Sequence, residues 1–141
     1  PESSDSFMKL ININVCGTYN VCKIFGNHMI SKQAGTIINF ASTYGIVSPD
    51  QSIYINSKGE QTFLKGPAYP VSKSAVIQLT KYLAALWAKT GVTVNCISPG
   101  GVNNNQDNDF ISTYSKRCPM GRMADPSDYL APLIFLLSDV P

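Results

Sequence analysis

Tyr69 and Lys73 are the two side chains of this sequence whose types and spacing point most clearly to chemistry. They lie four residues apart at the start of an amphipathic stretch, Gly66 to Thr80. On a helix, side chains four residues apart lie one above the other on the same face. A lysine cation beside a tyrosine phenol favours the ionised phenolate, which suits the tyrosine to proton transfer near neutral pH. The pair therefore predicts a general acid or base, although helices without any such role also contain this spacing.

A second tyrosine and lysine with the same spacing, Tyr54 and Lys58, compete for this role. The residues that follow Lys58 show no helical periodicity. After Lys73, in contrast, apolar residues continue one helical face, namely Val76, Leu79, Leu83 and Leu86. A catalytic pair needs a rigid element to hold its geometry. We therefore prefer Tyr69 and Lys73 and keep Tyr54 and Lys58 as the alternative.

The elements that must position the pair are helices alternating with strands. Apolar residues at spacings of three and four predict helices over residues 6–30 and 69–90, and Asp125–Pro126 is typical of a further helix start. Short runs rich in β-branched residues predict buried parallel strands at residues 35–42 and 92–97. This order is typical of an α/β fold, in which helices cross over between parallel strands.

Ser42 closes the first predicted strand, and open α/β sheets bind their ligands at the carboxyl ends of the strands. Two long connections, residues 46–66 and 102–118, also follow predicted elements; the first is irregular, and the second is irregular at first and weakly helical from Phe110. Long connections inside a domain are commonly functional. These features predict a site at one end of the sheet, near Ser42.

The composition excludes several classes of function. The 141 residues suffice for one domain, and the net charge of +2 comes without any basic run that would predict a nucleic-acid partner. Four cysteines form no C-x-x-C pair and His28 is the sole histidine, so we predict no metal site. Unpaired cysteines predict a reducing, cytoplasmic location. No apolar run is long enough to predict a membrane span.

Five motifs in register resemble the short-chain dehydrogenase/reductase family. They are Asn14–Gly17, Gly35–Ser42 followed by Gly45, Tyr69–Lys73, Val92–Gly100, and the segment from Arg122 through Asp139. The resemblance covers nearly the whole chain. It implies an α/β fold that is part of a doubly wound parallel Rossmann-type sheet with flanking helices.

Two departures from the family pattern stand out. The family's N-terminal βαβ unit, with its glycine-rich turn for the cofactor pyrophosphate, and its last strand have no counterpart in this sequence. The resemblance therefore implies that residues 1–141 are a partial Rossmann-like domain, the catalytic half. In addition, the interval of 27 residues from Ser42 to Tyr69 is longer than usual for the family, and Tyr54 lies nearer the usual distance.

The resemblance also implies an activity, which is hydride transfer between NAD or NADP and a carbonyl or alcohol substrate. Tyr69 would be the acid/base, and Lys73 would assist it and bind the nicotinamide ribose. Ser42 would form a hydrogen bond to the substrate oxygen, and Asn14 would hold a water that links Lys73 to solvent. The residues beside the nicotinamide would be Pro99, Gly100 and Val102.

Substrate and partners follow from the same resemblance. The long insertion and the segment Ser98–Asp107 resemble flagellin-modification members of the family, which implies a sugar as substrate, with residues 46–66 and 102–118 setting specificity. The family's subunit interface corresponds to the helices at 6–30 and 69–90, which implies a homodimer or homotetramer. The alternative is a non-catalytic fragment that folds only by association and cannot bind the dinucleotide alone.

Overall fold

The fold is that of a computed structural model, which describes residues 2–138. Asp139, the last residue of the fifth motif, lies outside the described residues. The elements in chain order are α1 (Ser4–Ile11), α2 (Gly17–Lys32), β1 (Gly35–Phe40), α3 (Ala68–Trp87), β2 (Val92–Ile97), α4 (Asn108–Ser115) and α5 (Leu130–Leu137). This arrangement confirms the predicted α/β fold with a parallel sheet and flanking helices.

A π-helical segment, Asn12–Cys16, joins α1 to α2, so one helical rod runs from Ser4 to Lys32. Its first turn is capped by Ser3, whose side chain accepts a hydrogen bond of 3.2 Å from the backbone of Ser6. The helix predicted at residues 6–30 is thus confirmed with slightly wider bounds. The π-helical segment was not predicted, and such segments are frequent at functional sites.

The sheet of the described residues has two parallel strands, with Gly35 opposite Val92 at one end and Phe40 opposite Ile97 at the other. The first strand ends at Phe40, two residues before the predicted end, because the chain enters a 3₁₀ turn at Thr43. The second strand has the predicted bounds. The helix α3 connects the two strands, and it stops at Trp87 rather than at residue 90.

The core lies where α2 and α3 pack on the sheet. It is built from Cys22, Leu83, Trp87, Val92 and Val94. Beside it, the buried amide of Asn39 donates a hydrogen bond of 2.9 Å to Thr80 and accepts one of 3.4 Å from Cys22. These polar groups therefore have partners inside the core, which avoids the cost of burying them unpaired.

The last helix begins as predicted with Asp125 as N-cap, although its first turn, Pro126–Tyr129, is 3₁₀. The apolar face predicted for it is mostly exposed, since Leu130, Ile134 and Leu137 are all more than half accessible to solvent. Within residues 2–138 no helix combines the length and apolar character needed to cross a membrane.

We predict opposite effects of alanine at the two glycines of α2. A Cβ at Gly26 would overlap the indole ring of Trp87, so Gly26→Ala should destabilise the protein by about 1–3 kcal/mol through overpacking. At Gly17, where the nearest atom would be 3.8 Å away, Gly17→Ala should stabilise it by roughly 0.5–1 kcal/mol. Denaturant unfolding followed by Trp87 fluorescence measures both. Equal effects of the two variants would contradict this packing.

Candidate active site

A cavity of about 180 Å³ lies at the carboxyl ends of β1 and β2. Backbone hydrogen bonds continue past the strands, from Ala41 N to the Ile97 oxygen (2.8 Å) and from Thr43 N to the Pro99 oxygen (2.9 Å). They hold the two strand ends side by side. The cavity is lined by Ser42, Thr43, Tyr44, Tyr54, Lys65, Tyr69, Gly100, Gly101, Gln106, Phe110, Tyr114 and Met123.

Tyr69 and Lys73 lie on the first turns of α3, and Lys73 Nζ is 5.8 Å from the centre of the Tyr69 ring. Lys73 Nζ donates a hydrogen bond of 2.8 Å to the carbonyl oxygen of Phe40, at the end of β1. Burial lowers the pKa of the Lys73 ammonium below its ordinary value. An ammonium has three N–H donors. Among the described residues, Lys73 uses one of them to bind the sheet, and the other two remain available to a ligand.

Ser42 is buried at the wall of the cavity. Its Oγ accepts a hydrogen bond of 3.2 Å from the backbone N–H of Tyr44, which fixes the side chain at the entry to the 3₁₀ turn. Within residues 2–138 the hydroxyl hydrogen of Ser42 has no acceptor. The serine can therefore donate a hydrogen bond to a molecule in the cavity, which Tyr69 also lines.

Asn14 lies in the π-helical segment and is connected to Tyr69 through Ser72, a residue that the sequence analysis did not single out. Its Nδ2 donates to Ser72 Oγ (3.0 Å), and Ser72 Oγ donates to the carbonyl oxygen of Tyr69 (2.8 Å). Ser72 is fully buried. The observed contact thus connects Asn14 to the backbone of Tyr69, while its predicted role of holding a water for Lys73 stays a prediction.

The three residues predicted to flank the nicotinamide form the turn after β2. Gly100 lines the cavity, whereas Pro99 and Val102 are not among its lining residues. The Pro99 oxygen accepts a hydrogen bond from the backbone N–H of Thr43, just after β1, and Val102 forms a parallel β-bridge with Ala124. The turn thus lies beside Ser42 and one of its three residues reaches the cavity, while their contact with a nicotinamide stays a prediction.

The rival pair does not share a helix face. Tyr54 ends the 3₁₀ helix Gln51–Tyr54, and Lys58 is an exposed residue in the turn that follows. Tyr54 nevertheless lines the same cavity as Tyr69, where its ring stacks on Phe110 with 5.6 Å between ring centres. Tyr54 is therefore a wall of the candidate site and has no lysine one helical turn away.

The two long connections pack against each other and form the aromatic side of the cavity. Arg117 donates hydrogen bonds to Asp50 (2.7 Å) and Ser52 (2.6 Å), and Asp109 accepts one from the backbone of Ser57 (2.9 Å). The rings brought together are those of Tyr44, Tyr54, Phe110 and Tyr114. Burial raises the pKa of all three tyrosines among them, so these phenols stay neutral. Nothing in their spacing predicted this wall.

Comparison with known proteins agrees with the geometry. The sequence profile of a family described as enoyl-(acyl carrier protein) reductase matches residues 2–140. The chain belongs to the short-chain dehydrogenase/reductase family. A galactitol 2-dehydrogenase (L-tagatose-forming) from Cereibacter sphaeroides is 33% identical over 145 residues, which cover 97% of this chain and 52% of the relative. A post-translational flagellin modification protein A from Campylobacter coli is 30% identical, with 97% and 52% covered.

Solved structures of short-chain dehydrogenases superpose on the chain. One from Leptospira borgpetersenii with bound NAD⁺ gives a TM-score of 0.87 at 36% identity, covering 97% of this chain and 51% of the other. A gluconate 5-dehydrogenase from Burkholderia cenocepacia, in complex with NADP and tartrate, gives 0.80 at 28%, covering 96% and 50%. The chain therefore spans about half the length of the relatives and structures it matches.

In this short-chain dehydrogenase/reductase chain, a bidentate ion pair fixes the segment that contributes Met123 to the lining of the cavity. Arg122 donates to both carboxylate oxygens of Asp128, at 2.6 and 2.9 Å, and Asp128 also accepts from the backbone of Asp125. These bonds lower the pKa of Asp128 to about 2. Ala124, which lies between Arg122 and Asp128 in the sequence, forms a β-bridge with Val102 that holds this segment against the turn.

We predict that this carboxylate makes stability depend on pH. Because its pKa is about 2 in the folded protein and 3.8 ordinarily, its contribution is present above pH 3.8 and is lost as the pH falls towards 2. Asp128→Asn should therefore be less stable than the unsubstituted protein near neutral pH, and the difference should shrink below pH 3.8. Thermal unfolding at several pH values measures this. The loss of stability caused by Asp128→Asn should be smaller in an Arg122→Met background. A loss of stability that does not change with pH would contradict the lowered pKa of Asp128.

Proposed function

We propose that this chain supplies the catalytic residues of an NAD(P)-dependent oxidoreductase that interconverts an alcohol and a carbonyl compound. The observation that carries the proposal is the cavity wall shared by Ser42 and Tyr69, with Lys73 one helical turn from Tyr69. Membership of a family of dehydrogenases and reductases supports it. The roles of the individual residues and the activity of this chain are part of the proposal.

In the proposed reaction Tyr69 exchanges a proton with the reacting oxygen of the substrate. It takes the hydroxyl proton when an alcohol is oxidised and returns it when a carbonyl is reduced. Ser42 donates a hydrogen bond to the same oxygen, which orients the substrate and stabilises the negative charge that develops there. The positive charge of Lys73 favours the phenolate form of Tyr69. Asn14 takes part by holding the backbone of Tyr69 through Ser72.

The residues present fit the nicotinamide end of a dinucleotide. Lys73 keeps two N–H donors that suit ribose hydroxyls, and the turn from Pro99 through Gly100 to Val102 lies beside Ser42. Related structures contain NAD⁺ or NADP, so we propose NAD or NADP as the cofactor. When bound, it supplies or accepts the hydride. No glycine-rich turn for its phosphates occurs in the described part of the chain.

We further propose a small hydroxylated molecule as the substrate. The cavity of about 180 Å³ is below the ~300–1,000 Å³ typical of pockets for drug-sized ligands. Several relatives are named as dehydrogenases of galactitol, threitol and fucose, which supports a sugar or polyol.

We predict that Tyr69→Phe lowers turnover by a factor of about 10²–10⁴, since it removes the proposed general acid/base. Tyr54→Phe, which keeps the aromatic wall, should change turnover by no more than a few fold. Following NAD(P)H absorbance of the full-length protein with galactitol or another oxidisable polyol measures both. If Tyr54→Phe abolishes turnover and Tyr69→Phe does not, the rival pair is the catalytic one. Equal turnover in all three proteins would reject both tyrosines.

Exposed apolar side chains support association of subunits through the first helical rod and α3. Ile13 and Ile24 are exposed on the rod, and Tyr82 and Leu86 are exposed on α3. We propose that these side chains belong to one surface that a partner buries, since contiguous exposed apolar patches are typical of such surfaces. We propose a homodimer or homotetramer through these helices. The same surface favours the alternative function, a non-catalytic chain that associates without binding a dinucleotide. Titration with NADH or NADPH, followed by Trp87 fluorescence, distinguishes the oxidoreductase from this alternative.

We predict that Ile24→Glu or Leu86→Glu shifts the protein towards the monomer, because a charge would have to be buried in the subunit contact. Met120→Glu is the matched control, since Met120 is equally exposed but lies outside both helices. Sedimentation velocity measures the change. Unchanged oligomers in both helix variants, or a monomeric unsubstituted protein, would contradict association through these helices.

A further inference from the structure

Lys65 is the one charged side chain in the lining of the candidate active-site cavity within the described residues. It ends the long insertion, and its Nζ lies 4.5 Å from the centre of the Tyr69 ring. The side chain is half-buried, and burial lowers the pKa of its ammonium. The cation is therefore partly withdrawn from water at the wall where the proposed reaction takes place.

Within residues 2–138 no carboxylate forms an ion pair with this lysine. Glu2 is the acidic residue that shares a surface depression with Lys65, but its carboxylate accepts hydrogen bonds from Ala68 N (3.0 Å) and Ser6 Oγ (3.4 Å). Asp50, in the same insertion, is paired with Arg117. A half-buried cation without a protein counter-charge is expected to bind an anion from outside the chain when one fits.

The backbone of Lys65 is fixed in place by Gln51. The Gln51 side chain accepts a hydrogen bond of 3.0 Å from Lys65 N and donates one of 3.0 Å to the Lys65 oxygen. Gln51 in turn starts the 3₁₀ helix that ends at Tyr54, so the two cavity residues of the insertion, Tyr54 and Lys65, are held by one short element. Because the backbone of Lys65 is already fixed, the residue loses less conformational entropy when its side chain binds an anion.

We infer that Lys65 binds a carboxylate group of the substrate, so that the cavity takes a small hydroxy acid, or the corresponding keto acid, in preference to the neutral polyol. This inference rests on the proposed function, because it places the reacting hydroxyl at Ser42 and Tyr69. The carboxylate then lies across the Tyr69 ring at Lys65. A single lysine matches a single negative charge, which favours a carboxylate over a phosphate. Neither the motifs nor the periodicity of the sequence singled out Lys65.

Binding of matched acids and polyols tests this inference without any turnover. Gluconate and glucitol, or threonate and threitol, share a carbon chain and differ only in one carboxylate that replaces a terminal hydroxymethyl group. Calorimetric titration of the full-length protein with reduced dinucleotide present gives the dissociation constants. We expect at least one acid to bind about tenfold more tightly than its polyol, the size typical of one hydrogen bond to a charged group.

The variants separate a specific contact from a general effect of charge. Lys65→Met should remove the preference for the acid while leaving polyol binding unchanged, and Lys65→Arg should retain it. Lys58→Met is the matched control, because Lys58 is an exposed lysine of the same insertion outside the cavity. Should Lys65→Met fail to fold, Lys65→Gln replaces it.

Four results would overturn the inference: equal binding of acid and polyol, binding of neither acid, a preference that survives Lys65→Met, or a preference that is lost in Lys58→Met. Because no turnover is measured, these results are independent of the Tyr69→Phe assay. Loss of turnover in Tyr69→Phe without an acid preference rejects only the role of Lys65. An acid preference with full turnover in Tyr69→Phe rejects only the proposed chemistry.

Discussion

The parallel pairing of β1 with β2 is the constraint on which the candidate site depends. It places Phe40 opposite Ile97, and the backbone bonds from Ala41 and Thr43 extend the pairing beyond the strands. Parallel strands require a crossover, and α3 provides it. Since that helix starts at the carboxyl end of β1, its first turns bring Tyr69 to the wall that Ser42 already occupies. The site is thus a consequence of the strand register and of the start of α3.

Local sequence patterns were sufficient for the elements and for the residues at their ends. The spacing of apolar residues predicted the first helical rod and α3 to within a few residues, and the second strand with its observed bounds. The site predicted at the carboxyl end of the first strand, near Ser42, coincides with a cavity that Tyr69 and Gly100 also line. The π-helical segment around Asn14 had no signal, because its sequence continues the helical periodicity.

The aromatic and charged walls could not be predicted, because they depend on contacts between segments far apart in sequence. Arg117 and Asp50 are 67 residues apart, and their ion pair joins two connections in which no local pattern predicts the contact. Tyr54 shows the difficulty well. Its spacing to Lys58 suggested a catalytic pair, whereas its ring stacks on Phe110 at the cavity. Spacing reports neighbours along one element and carries no information about neighbours across a cavity.

Tyr69 has a lysine on each side, and the two differ in what holds them. Lys73 is fixed by a hydrogen bond from its ammonium to the backbone of β1, so its charge stays in place whether or not a substrate is bound. Lys65 is fixed through its backbone by Gln51, and its ammonium lies over the Tyr69 ring without a hydrogen-bond acceptor among residues 2–138. The ammonium of Lys73, bound to the sheet, suits a constant electrostatic effect on the Tyr69 phenol. The ammonium of Lys65, whose residue is held through its backbone, suits recognition of a ligand. Under the proposed function, the long insertion therefore adds Lys65 as a recognition group to Tyr69 and Lys73, which α3 positions.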